Sequence, residues 1–333
     1  MQVFFVSLQK CRIGFQPVLR EYFYRQDCAS QLESCHTLKM KQVRNCPICQ
    51  NDSFEKYLEV QDYTVSQEKF QIMACKSCGF KFTSPRPDQN EIGEYYKAES
   101  YISHTNTSIG LVAKIYQAVR KYTLKGKLNL INHLYPQKGK LLDVGCGTGM
   151  FLSEARENGW KVNGIEPDLG ARQMAEEISK AIIETEILSS FQNEQFNIIT
   201  MWHVLEHVHL LNETVEWLNQ RLSENGSLVI AVPNHESKDA EIYQEQWAAY
   251  DVPRHLYHFS QKSIKQLLEQ KGFRLEKTLP MKFDSFYVSM LSTKYQSGKI
   301  NYLKAFIDGL KSNLGAEKNN GNYSSLIYVF KKN

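Results

Sequence analysis

Three groups of residues have the types and spacing that chemistry needs. The first is Asp143-Val144-Gly145-Cys146-Gly147-Thr148-Gly149. Glycines lack a Cβ, so the backbone can turn tightly and come close to a ligand. A helical pattern running from Met150 to Ala155 opens directly behind the turn, and its first free N–H groups point at whatever sits there. In front of it, Leu141-Leu142 reads as a strand. A strand, a glycine turn and a helix in that order make the nucleotide-cradling corner of a doubly wound α/β fold.

The second group is two Cys-x-x-Cys pairs, Cys46 with Cys49 and Cys75 with Cys78. Each pair can present two thiolates to one tetrahedral ion, and Gly79 can supply the positive φ that such a knuckle often needs. Between the pairs, Phe70-Gln71-Ile72-Met73-Ala74-Cys75 alternates like a strand. These features predict a small zinc ribbon over residues 40–90. A segment this short cannot bury a sufficient core, so bound Zn2+ would supply folding energy. Four thiolates leave no open position, which makes the role structural. Free thiols or a redox pair are the alternatives.

The third group is histidines. His203, Glu206 and His207 follow a predicted strand; Arg254, His255 and His258 lie in the polar, aromatic segment 247–259. Group transfer to oxygen or nitrogen needs a group that accepts a proton near neutral pH, which suits histidine. His255 beside Arg254 is the first choice for acid–base work or substrate binding, and Arg254 could pair with an anionic acceptor. If a helix opens at residue 203, then His203, Glu206 and His207 share one face and could hold a divalent cation. Each histidine taken singly could equally be a hydrogen-bonded structural one.

The elements that must position these groups follow from the rest of the chain. It has 333 residues and a net charge of +4, enough for one large and one small domain and too slight a charge for a nucleic-acid binder. No apolar run approaches the ~18 residues of a membrane helix. Cysteines in metal-type pairs favour a reducing, cytoplasmic setting. Residues 1–39 fit no pattern, and Met40 reads like a natural start, so they are expected to be a disordered tail or an over-extended reading frame. Residues 84–88 read as a linker. A helical pattern through Val112, Ile115, Tyr116, Val119 and Tyr122 gives residues 91–135 as a lid or linker helix. The nucleotide fold then occupies 136–333. Its second strand ends at Glu166-Pro167-Asp168, where Glu166 can accept both hydroxyls of a ribose and Asp168 caps the next helix. Further strands are expected at 182–187, 196–201, 227–234, 273–278 and 324–330. Ser260 caps a helix stopped by Gly272. Residues 281–322 are a long insertion, helical at 301–313.

Asp143 two residues before the first glycine resembles the first motif of class I S-adenosylmethionine (SAM) methyltransferases. The run Phe196-x-Ile198-Ile199-x-Met201-x-His203-Val204-Leu205-Glu206-His207-Val208 resembles the post-strand motif of a bacterial group that includes relatives of quinone-biosynthesis O-methyltransferases. The resemblance covers residues 140–333. It implies a seven-stranded Rossmann-like α/β sheet with helices on both faces, its last strand antiparallel between the fifth and sixth. It implies SAM as cofactor, with Asp143 near the methionine end and the turn from Gly145 through Cys146, Gly147 and Thr148 to Gly149 under the ribose. Glu166 and Pro167 would face the ribose, Glu186 and Ile187 the adenine, and Met201, Trp202 and His203 would complete the site. Some relatives hold a divalent cation with Glu-x-x-Glu-His; here His203 stands at the first Glu. The acceptor is expected to be a small polar molecule. The competing readings are a NAD-linked oxidoreductase, against which Asp143 and the glycine spacing argue, and a non-catalytic module that binds nucleic acid or protein through the ribbon, against which the interspersed charges argue.

Overall fold

The computed structural model of the chain describes residues 39–97 and 111–333, with side chains from residue 117 onward in the second stretch. The expectations for residues before Lys39 lie outside the described residues. Residues 39–333 form one compact unit.

The N-terminal part holds β1 (Met40–Lys41), β2 (Phe54–Gln61), β3 (Lys69–Cys75), β4 (Lys81–Thr83) and β5 (Arg86–Pro87). Strands β2, β3 and β4 make an antiparallel meander, and β5 pairs back on β1. The stretch expected to be a linker is therefore structured: Arg86 lies over the Tyr257 ring, 5.0 Å from its centroid.

Helix α1 (Leu111–Leu134) leads to β6 (Lys140–Val144). Then come α2 (Met150–Glu157), β7 (Lys161–Ile165), α3 (Leu169–Ser179), β8 (Ile182–Glu184) and β9 (Phe196–Trp202). They are followed by α4 (Leu211–Arg221), β10 (Leu222–Pro233), α5 (Lys238–Tyr243), β11 (Tyr257–His258), α6 (Gln261–Glu269) and β12 (Phe273–Pro280). The chain ends with α7 (Asp284–Ser297), α8 (Tyr302–Lys318) and β13 (Ser325–Lys332). The seven-stranded sheet has the order β12-β13-β10-β9-β6-β7-β8, and β13 alone runs antiparallel to its neighbours. This is the expected α/β sheet with its last strand inverted.

Its central strands are apolar at nearly every position because both faces are covered. Successive side chains point to opposite faces. Leu141 and Ile198 join one core with α1, α2 and α3, whereas Leu142, Ile199 and Met201 join another with α4 and α6. Each such side chain contributes about 1.5–3 kcal/mol on burial. The caps read from sequence are present. Asp168 Oδ1 accepts from Ala171 N at 2.7 Å, and Ser260 and Ser263 form a reciprocal capping box.

The insertion holds two helices rather than one. Its first, α7, buries Ser285, Val288, Ser289, Ser292 and Thr293, a mostly small and polar face with no apolar stripe to read. Tyr122 of α1, expected in a core stripe, is exposed; the buried face further along that helix uses Leu128 and Ile131.

Segment 247–259 departs most from expectation. Its Trp247, Tyr250, Tyr257 and Phe259 are buried, because each aromatic body packs inward while the polar tips of the Trp and Tyr side chains find partners. Trp247 Nε1, for one, donates to Asp239 Oδ2 at 2.7 Å. Strand β11 adds to the ribbon, giving the sheet β11-β4-β3-β2. On its other side Leu256 N donates to Glu206 O at 2.8 Å. Ribbon and large sheet therefore share one continuous core, in which Phe80 stacks on Tyr257.

Arg254 ties this junction together. It is 1% exposed and donates from Nη2 to Asp62 Oδ1 at 2.9 Å and to Asp251 Oδ1 at 2.7 Å. Its Nε donates to Asp251 Oδ2 at 3.0 Å and its Nη1 to Tyr95 O at 2.9 Å. The expected role in binding an anionic acceptor is thus corrected: the guanidinium is buried and bonded to the fold. Removing one partner of a buried ion pair leaves an uncompensated charge, which costs about 3–5 kcal/mol. Arg254→Ala is accordingly expected to lose that much stability in urea unfolding. Unchanged stability with lost activity would return Arg254 to the substrate.

Candidate active site

The glycine turn leaves β6 at the carboxyl edge of the sheet, where ligands of open α/β folds bind. All three glycines take positive φ: Gly145 at 71°, Gly147 at 54° and Gly149 at 76°. Two of them also need the missing Cβ for packing. A Cβ on Gly145 would lie 2.4 Å from Val204 Cγ2, and one on Gly149 would lie 2.6 Å from Ala175 Cα. At Gly147 the Cβ direction meets nothing within 4 Å. The turn is pinned from behind and open in front, the shape of a cradle.

Glu166 sits beside it at the tip of β7, nine-tenths buried. Its Oε2 accepts from Gly147 N at 2.8 Å and its Oε1 from Asp168 N at 3.0 Å. Burial still pushes its carboxyl above the usual range. Asp143, 2% exposed, accepts from Thr200 Oγ1 at 2.6 Å. Burial lifts it to about 7, with Glu166 adding to the rise and Thr200 and Lys127 opposing it. Two carboxylates thus stand where charge is disfavoured, as expected of a place that receives a cation.

Lys127 of α1 was not foreseen. Its Nζ lies 4.4 Å from the Trp202 ring centroid, and its charge faces Asp143 and Asp284. The available signal is its position: it interrupts the apolar stripe Leu124, Leu128 and Ile131 of α1. Trp202 packs edge-on against Phe151, and its Nε1 is buried without a partner. Met201 is fully buried in the core, so only its backbone is available to a ligand. Glu186 is exposed beyond β8, and Ile187 is partly buried against the core. Cys146 and Thr148 lie within the turn itself.

Beyond β9 no α-helix begins. His203 takes φ 58°, and a single 3-10 turn follows at Leu205–His207. The expected shared face of His203, Glu206 and His207 is therefore absent. His203 turns instead to Asp284 Oδ2, 3.0 Å from its Nε2, with Glu206 Oε1 3.4 Å from its Nδ1. Desolvation opposes its charge, but the two carboxylates outweigh that and lift it to about 10. It is an imidazolium at neutral pH and cannot serve as a base there.

Glu206, His207 and His255 converge instead, their ligating atoms within 4.8 Å of one another. Glu206 is fully buried; the His203 imidazolium is its ion-pair partner at 3.4 Å, and neither oxygen makes a close hydrogen bond. Burial alone would raise it, yet His203 and the neighbouring imidazoles hold it below the usual range, so it is ionised. His207 Nδ1 lies 3.1 Å from Arg254 O, and His255 Nδ1 lies 2.8 Å from Ala249 O. A carbonyl only accepts, so each Nδ1 carries a proton. Burial and the neighbouring His255 hold His207 down to about 4, so it is neutral. The Tyr96 hydroxyl, 2.9 Å from His207 Nδ1, closes the back of the ring. His258 is different: it is buried, and its Nε2 lies 3.1 Å from Thr83 Oγ1, itself a donor to His255 O. That is a structural contact with the ribbon.

At the ribbon the four thiols gather. Cys46 and Cys78 Sγ are 3.6 Å apart, Cys49 and Cys75 Sγ are 3.5 Å apart, and all four lie within 4.8 Å. A tetrahedral zinc with Zn–S near 2.3 Å sets its sulfurs about 3.8 Å apart. Burial pushes the Cys46 thiol well up, a cost that a bound dication would offset.

A parallel sheet with one inverted strand, a glycine cradle and an acid at the next strand tip define the class I methyltransferase architecture. The methyltransferase-domain family Methyltransf_23 matches residues 116–278. The chain is 27% identical over 191 residues to a ubiquinone biosynthesis O-methyltransferase of Nitrosococcus oceani, covering 52% of this chain and 78% of that protein. It is 33% identical over 92 residues to the protein of that name in Albidiferax ferrireducens, covering 25% of this chain and 36% of that one. In fold it resembles a magnesium protoporphyrin IX methyltransferase from Synechocystis PCC 6803, solved with bound SAH. That likeness has a TM-score of 0.50 at 12% identity and covers 74% of this chain and all of that one. Residues 116–278 thus carry a methyltransferase domain, on a sheet of the class I SAM-dependent methyltransferase type.

The turn glycines give a contrast that stability and binding can separate. Gly149→Val meets backbone at Ala175 and is expected to unfold the domain or cost more than about 3 kcal/mol. Gly147→Val faces open space and is expected to cost about 1–2 kcal/mol, the strain of a left-handed backbone, while abolishing ligand binding at the turn. Melting curves with a SAM titration check both; equal stability loss in the two variants would contradict the cradle.

Proposed function

We propose that the chain methylates a hydroxyl oxygen of a small, neutral acceptor rich in O–H groups. The convergence of Glu206, His207 and His255 carries this reading: an ionised carboxylate and the neutral imidazole of His207 stand together with a second imidazole beside them. A carboxylate and a neutral imidazole nitrogen accept hydrogen bonds, so an acceptor hydroxyl fits them. His207 or His255 would take the hydroxyl proton as the oxygen is methylated, and Glu206 would stabilise the imidazolium that results. The expected role of Arg254 in holding an anion drops out. The names of the two ubiquinone-biosynthesis relatives support oxygen as the methylated atom.

Bound SAM supplies a methyl group on positive sulfur, an electrophile that needs no further activation. The residues of this chain suit it. Glu166 would accept from the ribose hydroxyls, with Pro167 beside it, and the Gly145–Gly149 turn would pass beneath. Asp143 and Lys127 offer opposite charges to an ammonium and a carboxylate. The backbone of Met201 with Trp202 and His203 would line the same crevice, with Glu186 and Ile187 on the adenine side. Cys46, Cys49, Cys75 and Cys78 would hold a structural Zn2+, giving a ribbon over 40–90 ahead of the lid helix and the 136–333 methyltransferase fold. A second reading rests on the Glu206 oxygens, which make no close hydrogen bond: a divalent cation would bind the same three groups. Transfer abolished by a weak chelator that leaves the thiolate-bound metal in place would favour it.

The titration of Asp143 tests the cofactor site. Its folded pKa, about 7, lies above its ordinary value. In the empty protein its favourable contribution is therefore complete below pH ~4 and lost as pH rises through about 7. A cationic ligand favours the ionised form, so SAM affinity is expected to climb up to about tenfold per pH unit until about 7 and level off above. Asp143→Asn should flatten that profile, and Glu166→Gln should weaken binding about 10–100-fold. Calorimetry with SAM, and with NAD as the control, checks this. A folded protein that binds NAD, or neither, would contradict the reading and leave the oxidoreductase or the non-catalytic module.

A further inference from the structure

Helix α8 is amphipathic in the reverse sense. The face turned to the protein carries Ala305, Asp308, Gly309, Ser312, Asn313 and Ala316. That face is bonded in place. Tyr243 donates to Asp308 Oδ2 at 3.0 Å, Ser312 Oγ donates to Asp239 Oδ1 at 2.6 Å, and a Cβ on Gly309 would strike Phe286 at 2.7 Å. The helix cannot rotate without breaking these contacts. Its outward face carries Tyr302, Leu303, Phe306, Ile307, Leu310 and Leu314, all exposed, with Leu303 at 71% and Phe306 at 59%.

Six large apolar side chains exposed in one stripe are more than the singly scattered ones that a monomer surface normally shows. The charges around it are mostly positive. Residues 282–318 hold six lysines against three acids, a surplus of three in a chain whose whole surplus is four. Of the acids, Asp308 is buried and Glu317 is paired with Lys282. Lys294, Lys299 and Lys318 are exposed and have no ion-pair partner among the described residues.

From this geometry we infer that the outward face of α8 lies on an anionic lipid surface. An apolar helical stripe with lysines at its margins is the arrangement that seats in the headgroup boundary, apolar side chains inward and ammonium groups on lipid phosphates. A second copy of the chain fits less well, because two such faces would bring the lysine rims together. The inference stands apart from the choice of acceptor, since it uses none of the residues that hold cofactor or take the proton.

Co-sedimentation of the full chain tests it, using vesicles of phosphatidylcholine with phosphatidylglycerol against phosphatidylcholine alone. Binding to the anionic vesicles alone, weakened by high salt, is expected. A Leu303→Ser, Phe306→Ser, Leu310→Ser variant should bind at least about tenfold more weakly with its melting temperature unchanged. Lys294→Glu, Lys299→Glu, Lys318→Glu should lose binding similarly, which keeps the test decisive if the serine variant does not fold. No vesicle binding by the unaltered chain, or binding that survives both variants, overturns the proposal. So does a dimer in light scattering that the serine variant converts to monomer without any vesicle binding, since a second copy would then be the occupant.

Discussion

The structure hangs on a buried cation shared by two buried carboxylates. Arg254, held by Asp62 from the ribbon and by Asp251 from its own loop, is removed from water at a junction where no solvent can substitute for a lost partner. Taking three charges out of water is costly, and their attraction offsets the cost only while all the hydrogen bonds are made. Asp62 is further committed, accepting from the amides of Thr64 and Ser66 at 2.9 Å. The ribbon is therefore not a bead on a string. Its third strand, β4, pairs with β11, and the far side of that segment holds the turn that presents Glu206 and His207.

This arrangement sets the electrostatics of the site. Backbone carbonyls on the bridging segment fix the tautomers of His207 and His255, because Arg254 O and Ala249 O can only accept. His203, one strand-end away, is held charged by Asp284 from the inserted helix α7. One imidazole is thus kept protonated and another kept neutral within a few residues, each by its own neighbours. At the glycine turn the sign reverses: Asp143 and Glu166 carry more negative charge than burial favours, with Lys127 opposite.

Much of the scaffold was legible because it rests on local rules. The glycine turn, the acid at the tip of β7, the strand positions, the Asp168 and Ser260 caps and the cysteine pairs are short-range patterns with one physical reading each. The misreadings have a common cause, which is partnership over long sequence distance. Arg254 looked available because its partner Asp62 is 192 residues away. His203 looked like a base because Asp284 lies in an insertion whose helix buries small polar residues and shows no period. His255 joined Glu206 and His207 only through a polar, aromatic segment whose composition concealed how deeply it is buried. Lys127 was visible in principle as a charge in an apolar stripe.

The central claim is that ribbon and catalytic sheet act as one cooperative unit through the bridging segment. Hydrogen exchange on the full chain tests it most directly, comparing the intact protein with one whose four-cysteine cluster is disrupted by Cys46→Ser or by metal removal. The account predicts that protection falls together at the Thr83 amide in the ribbon, at Leu256, which donates to Glu206 O, and at His207, which donates to Val204 O. Loss confined to residues 46–83, with Leu256 and His207 as protected as before, would contradict it and make the ribbon an independent appendage.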